Sequence, residues 1–145
     1  MEKNLQYLLD RREIEDQVIL YASLIDTRQF DRLSEVFTQD AYIDYKASGG
    51  EAGSLAEIIP FLEKSLPMFK NTQHLMSNVT VRFAEDAQSA AGQVMLFNPM
   101  TITIEDKDVT IFYGLWYNDE WVKTAEGWKM AKRVQQAGYT HNQPW

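Results

Sequence analysis

Cysteine is absent from the 145-residue chain. Disulfides, thiolate catalysis and cysteine-based zinc sites are excluded together. Histidine is scarce: there are 2, His74 and His141. So widely separated a pair, with no cysteine, does not make a metal site, and none is expected. Positive charge is also short. Lys and Arg total 14 against 21 Asp and Glu, for a net charge of −7. The basic residues are scattered, so no patch can neutralise a phosphate backbone or an anionic bilayer surface. Neither nucleic acid nor membrane is an expected partner.

No apolar run is long enough to cross a bilayer. The stretch Met1 to Glu13 is charged and amphipathic and lacks the apolar core of a secretory signal, so a cytoplasmic location is expected. The 7 glycines and 4 prolines form no phosphate-cradling loop between a strand and a helix, and no nucleophile elbow. Nucleotide cofactors are therefore not expected. No linker, repeat or low-complexity tract divides the sequence, which reads as a single domain spanning 1–145.

What is present is a change of pattern halfway along. Leu5, Leu8, Leu9, Ile14, Val18, Ile19, Ala22 and Ile25 recur at three- and four-residue steps, predicting a helix from about Asn4 to Ile25. Asp31 to Phe37 reads as a short helix capped by Asp31, Thr38–Asp40 as a loop and Ala41 to Tyr45 as a strand. Ser54 and Glu57 form a capping-box pattern. Pro60 argues for a turn over Ser54–Ile58, followed by a helix over Pro60–Met68. After Lys70 the period becomes two. Strands are predicted around Val79–Phe83, 87–97, Thr101–Ile104, Val109–Val122 and Trp128–Tyr139, with tight turns at 105–108 and 125–127. Gly92 and Gly114 inside strands suggest bulges or sharp curvature. Helices followed by a meander of long strands make an α+β protein, and a strongly curved sheet wrapped on the helices would enclose a pocket.

The plain reading of a lone histidine is packing or surface. It holds for His141. His74, in Thr72-Gln73-His74, gains weight from Asp26, which ends the long helix where an acid meets the unfavourable end of the helix dipole. A carboxylate that accepts from one imidazole nitrogen fixes the tautomer and frees the other nitrogen as a base. A tyrosine hydroxyl, such as Tyr21 or Tyr45, can donate to a developing enolate oxygen. Such a set suffices to remove a proton beside a carbonyl without a metal. Spacing alone does not pair Asp26 with His74.

The segments Leu24-Ile25-Asp26, Phe30-Asp31-Arg32-Leu33, Ile43-Asp44-Tyr45, Thr72-Gln73-His74, Tyr117-Asn118-Asp119-Glu120-Trp121 and Glu126-Gly127-Trp128-Lys129 occur in an order and spacing that resembles the SnoaL-like branch of the nuclear transport factor 2 superfamily. Within it the look is nearest to scytalone dehydratase, bile-acid dehydratase and hexachlorocyclohexane dehydrochlorinase. The resemblance covers about Leu8 to Val134. It implies an NTF2-like, cystatin-like α+β barrel: a cone of curved antiparallel or mixed sheet packed on the N-terminal helices, and a homo-oligomer, with a trimer favoured over a dimer. It implies a catalytic dyad of Asp26 and His74, with Tyr21 and Tyr45 at family tyrosine positions. Asn118 falls near a site asparagine, after a one-residue gap. Lys123 falls where the dehydrochlorinase carries basic residues, although a solvated strand lysine is an equally good reading.

The sequence departs from the pattern at Ile25, where scytalone dehydratase has a tyrosine, and at Pro99-Met100, where that enzyme has a second histidine. Asn98 stands where bile-acid dehydratase has an acid. The expected activity is a cofactor-independent lyase acting on a small, largely apolar, cyclic or carbonyl-bearing molecule. Asn98, Asn118, Met100 and Met76 are expected to bind substrate. Alternatives are an isomerase or polyketide-type cyclase using the same pair, or a non-catalytic ligand-binding or association module. The aromatic residues of the last strands, among them Phe112, Tyr113, Trp116, Tyr117, Trp121 and Trp128, read as core, subunit interface or pocket wall.

Overall fold

The computed structural model describes residues 2–145. Helix α1 (Leu5–Asp26) opens on Asn4, whose side chain accepts from the Tyr7 amide at 3.0 Å. Its buried row is Ile14, Val18, Tyr21 and Ile25, with Asp10, Ala22 and Leu24 beside it. Leu5, Leu8, Leu9 and Ile19 were expected on the same stripe but are exposed. At 100° per residue they fall on the opposite side of the helix, so the sequence carries two apolar faces and the sheet covers one.

A 3-10 turn (Phe30–Glu35) buries Phe30 and Leu33 and replaces the expected α-helical turn, with no side-chain cap at its start. Strand β1 (Phe37–Asp44) begins four residues earlier than the sequence suggests. The polar segment 38–40 looks like a loop because it lies in the irregular stretch of the β1–β7 pairing, between Phe37 and Tyr42.

After β2 (Ala52–Ser54), helix α2 (Leu55–Ser65) runs straight through Pro60, so the expected break there does not occur. Pro60 stands at the middle of the helix and forfeits one ladder bond, while the capping box holds the start: the Ser54 amide donates to Glu57 Oε2 at 2.8 Å. Beyond Ser65 the chain tightens into a 3-10 turn over Leu66–Met68.

The remaining strands are β3 (Phe69–Thr72), β4 (Leu75–Phe83), β5 (Ser89–Ile104), β6 (Lys107–Thr124) and β7 (Gly127–His141). They form one mixed sheet in the order β2-β1-β7-β6-β5-β3, with β4 also pairing β5. Only β1 and β7 run parallel. The long β5 therefore pairs with β4 along its first half and with β3 along its second. The break between β3 and β4 is Gln73-His74.

Curvature comes from bulges. The β4–β5 register slips between Ser77 and Thr80, around Asn78 in the left-handed region, and a Cβ on Gly92 would collide there with the Thr80 carbonyl. The β6–β7 register slips beside Gly114, whose missing Cβ is replaced by the Tyr139 ring. The sheet curves without closing and packs its inner face on α1 and α2. The main core runs from Ile14 through Trp121, Trp128 and Met130. At the far end of β5 and β6, Met100, Ile102, Ile111 and Tyr113 form a second cluster. Among the described residues no helix is long and apolar enough to cross a membrane.

Candidate active site

The end of α1 and the β3–β4 break meet at one point. His74 Nδ1 lies 2.7 Å from Asp26 Oδ1, and the His74 backbone amide donates to Oδ2 at 2.8 Å. The Thr72 hydroxyl donates to Oδ1 at 2.8 Å. Arg28 completes the cluster. Its Nη1 donates to Thr72 Oγ1 at 2.9 Å and to the Ile25 carbonyl at 2.9 Å, which also caps α1. Because Thr72 Oγ1 accepts from Arg28, its single hydrogen is left for Asp26. To reach this position Arg28 adopts φ 60°, a left-handed backbone for a non-glycine residue.

Burial pushes the Asp26 carboxyl up, but the bonds and charge of His74 and the Thr72 hydroxyl outweigh it, and the net direction is down. Asp26 is thus a carboxylate whose partners are all donors. The imidazole presents Nδ1–H to it, and the neutral ring in that tautomer carries its lone pair on Nε2.

His74, with its side chain 7 % exposed, borders a pocket of about 560 Å³. Ile25, Phe61, Leu66, Phe69, Met100 and Leu115 give the pocket apolar walls. Polar side chains line the rest, among them Ser48, Asn98, Tyr113, Gln135 and Gln143. The hydroxyls of Tyr21 and Tyr45 are 2.7 Å apart. Burial, and their mutual proximity in the case of Tyr21, push both phenols up, so they are neutral donors rather than bases. Asn98 Nδ2 is 3.4 Å from His74 Nε2.

Behind the tyrosines sits Arg133, fully buried and sandwiched with its guanidinium carbon 4.3 Å from the Tyr21 ring centre and 4.1 Å from that of Tyr117. Two bonds tie it to the buried Asp119, Nε to Oδ1 at 2.8 Å and Nη2 to Oδ2 at 2.6 Å. Burial disfavours the cation, but Asp119 overrides it and raises the guanidinium's pKa. The pair places a fixed positive charge beneath the aromatic floor.

Of the residues expected from sequence, Asp26, His74, Tyr21, Tyr45, Asn98 and Met100 come together here. Asn118 does not. It faces the outside of the sheet, taking a bond from Gln93 Nε2 at 2.9 Å and giving one to Gln136 Oε1 at 3.2 Å. The inward row of β6 is Ile111, Tyr113, Leu115, Tyr117, Asp119 and Trp121, so Asn118 has the wrong parity to reach the pocket. Met76 points inward but packs on the main core, off the pocket wall. Lys123 binds Asp10 at 2.9 Å, beside the indole of Trp128, and clamps α1 to the sheet. Among the described residues no group of three or more His, Cys, Asp or Glu is placed to hold a metal ion.

Sequence reasoning missed Arg28 and Arg133. Arg28 had no signal beyond its place two residues after Asp26. Arg133 was hidden by a register slip between Glu120 and Trp121: Ala131 is the extra residue, so strict alternation from Trp128 and Met130 would have turned Lys132 inward instead.

A curved, unclosed sheet packed on N-terminal helices, with a half-buried histidine–carboxylate pair beside its pocket, defines an α+β protein of the NTF2-like class. The chain belongs to the SnoaL-like domain family, which it matches over residues 6–134. An uncharacterised protein of Mycobacterium tuberculosis is 42% identical over 126 residues, covering 87% of this chain and 84% of the relative. Solved structures with the same fold include a scytalone dehydratase-like protein of Novosphingobium aromaticivorans, with TM-score 0.83, 23% identity and coverage of 96% of this chain and 91% of the other. A hexachlorocyclohexane dehydrochlorinase of the LinA type 2 form has TM-score 0.83 and 21% identity, with coverage of 94% and 90%. The Kfla4162 protein of Kribbella flavida has TM-score 0.84 and 23% identity, with coverage of 94% and 95%. At these identities the likeness to solved structures establishes the fold.

Proposed function

We propose that the protein is a cofactor-independent lyase that removes a proton from carbon beside a carbonyl in a small, largely apolar, cyclic substrate. The observation that carries this reading is the 2.7 Å contact between Asp26 and His74 Nδ1, which in the neutral ring turns the Nε2 lone pair toward the pocket. His74 Nε2 takes the proton. Asp26 holds the tautomer and stabilises the imidazolium that forms. In the Tyr21–Tyr45 pair one hydroxyl donates to the other, and the second hydrogen remains for the substrate oxygen, where negative charge develops. The Arg133 cation below the Tyr21 ring favours that charge. The pocket volume of about 560 Å³ suits one small molecule.

The test is solvent exchange. Cyclic ketones, with and without a β-hydroxyl, are incubated in deuterium oxide with the wild type and with His74→Gln. We expect deuterium at the α-carbon and elimination of the hydroxylated members with the wild type, and neither with the variant. No exchange across the panel, or equal exchange by His74→Gln, sinks the reading. A product isomeric with its substrate would replace elimination by isomerisation.

We also propose a homo-oligomer, a trimer by family. Support comes from the outer sheet face, where Phe97 and Phe112 stack at 5.8 Å and Leu75, Phe97 and Tyr139 are exposed. An apolar sheet face of this kind favours cover.

A further inference from the structure

We propose that Tyr113 forms a second polar subsite in the pocket, which binds an uncharged hydroxyl at the end of the substrate remote from His74. The inference rests on the lyase reading above and narrows its substrate class to molecules of two linked rings, with a ring ketone at one end and a neutral hydroxyl at the other.

Four residues stand in a row across the inner face of the sheet. His74 is 3.4 Å from Asn98. Asn98 pairs with Tyr113 across β5 and β6, and Tyr113 pairs with Thr140 across β6 and β7. Residues paired in this way share a face, and all four line the pocket. Tyr113 is thus two strand spacings from the β3–β4 break, about 10 Å across the sheet. Its ring belongs to the Met100, Ile102 and Ile111 cluster, whereas Tyr21 and Tyr45 belong to the main core.

The hydroxyl of Tyr113 is unused. The residue is 6 % exposed. Three buried side-chain atoms are sealed from the surface without a partner, Thr38 Oγ1, Asn98 Oδ1 and Arg133 Nη1, and the Tyr113 oxygen is not one of them. It opens on the cavity instead. Burial alone pushes the phenol up, with no bond or charge from another residue acting on it. The group is therefore a neutral hydroxyl, free to donate or to accept. A buried hydroxyl that faces a cavity rather than a protein partner is placed to meet a ligand.

The chemistry of that ligand follows from its surroundings. Among the described residues no Lys, Arg, Asp or Glu lines the pocket. A carboxylate or an ammonium at this end would lose its water and gain no counter-charge. The polar neighbours, Thr140 and Gln143, are neutral. A hydroxyl complements such groups in either sense, because it donates to one and accepts from another. An apolar group there would leave the phenol without a partner.

The test is binding, so it does not depend on turnover. The probes are cyclohexanones carrying a phenyl, para-hydroxyphenyl or para-carboxyphenyl group on the ring carbon opposite the carbonyl. Calorimetry measures each against the wild type and Tyr113→Phe, which removes one oxygen and keeps the ring in its cluster. The wild type should bind the hydroxyl member about five- to tenfold more tightly than the phenyl member, the worth of one hydrogen bond, and the carboxyl member most weakly. Tyr113→Phe should erase the advantage of the hydroxyl and bind the phenyl member at least as tightly as before, which a damaged fold would not do. Equal wild-type affinities for the hydroxyl and phenyl members, an advantage that survives in Tyr113→Phe, tightest binding of the carboxyl member, or no binding of any member overturns the proposal. Deuterium exchange separates the two readings. A hydroxyl preference without α-proton exchange refutes the lyase reading and leaves the subsite standing, while exchange without the preference refutes the subsite alone.

Discussion

Replacing Asp26 by asparagine should leave the fold intact and remove the base, because the site can satisfy an amide in only one way. Oδ1 of Asp26 meets two donors, Thr72 Oγ1 at 2.8 Å and His74 Nδ1 at 2.7 Å, while Oδ2 meets one, the His74 amide at 2.8 Å. A backbone amide cannot reverse its role, so the asparagine oxygen must take the Oδ2 position. Its NH2 then occupies the Oδ1 position with two hydrogens to give. Thr72 Oγ1 can accept one by rotating its own hydrogen away. Nδ1 can accept the other only if the ring proton moves to Nε2. The amide and the ring are then satisfied, the Thr72 hydroxyl loses its acceptor, and the lone pair facing the pocket is gone. Asn98 would answer by turning its oxygen toward Nε2–H.

The catalytic loss should be that of a general base, on the order of 10²–10⁴-fold. Stability should fall far less. Three bonds to a charged acceptor become bonds to a neutral one, each weaker by about 1 kcal/mol, and the relief of burying a neutral amide offsets part of this, for a net loss of about 1–2 kcal/mol. Nitrogen-15 NMR of the imidazole reads the tautomer without any substrate: Nδ1–H in the wild type, Nε2–H in the variant. An Asp26→Asn protein that keeps Nδ1–H, or that exchanges α-protons at the wild-type rate, would show that the carboxylate does not set the state of His74.

Arg133→Met should cost about 3–5 kcal/mol in urea denaturation, because it strands the buried Asp119 carboxylate, and adding Asp119→Leu should restore most of the loss. Asp10, like Asp26, is raised by burial and lowered further by its bonds, from Trp128, Lys123 and Gln6. With folded values below unfolded ones, their stabilisation is complete above the unfolded carboxyl pKa of about 4 and is lost as pH falls through the folded values. Chemical denaturation from pH 7 downward should therefore steepen below about pH 4, and less so in Asp26→Asn; an unchanged slope would contradict the Asp26 contribution. Phe97→Ser combined with Phe112→Ser should shift sedimentation from oligomer to monomer while the far-ultraviolet spectrum stays put, and an unchanged sedimentation coefficient would remove the outer sheet face as the contact.

The elements were legible where one force dominated. The strand over Val109–Val122 was legible from its β-branched and aromatic residues, but its inner face was not: Phe112 and Trp116 on the outside are as apolar as Ile111 and Leu115 on the inside. The outward place of Asn118 was missed for the same reason. Elements were misread where local rules and tertiary context disagreed. Pro60 is a helix breaker by propensity, but the capping box and the buried row Leu55, Ile58 and Leu62 held α2 together through it. The polar 38–40 stretch extends because β7 supplies a partner at Phe37, a contact about ninety residues away that no local window contains.

The site divides along the same line. Asp26 and His74 could be named from residue type, but their meeting depends on where the β3–β4 break falls against the end of α1, a long-range fact that only the family pattern carried. Arg133 depended on a single extra residue. Because Ala131 is absorbed as a bulge, Lys132 faces outward opposite Glu120 and Arg133 inward opposite Asp119; taken up as a regular ladder residue, Ala131 would reverse the two. One bulge therefore decides whether the Tyr21 and Tyr117 rings rest on a fixed positive charge. Deleting Ala131 would close the bulge with Met130, Lys132 and Arg133 still opposite Trp121, Glu120 and Asp119, so the guanidinium should stay beneath the tyrosines and the pocket electrostatics should hold.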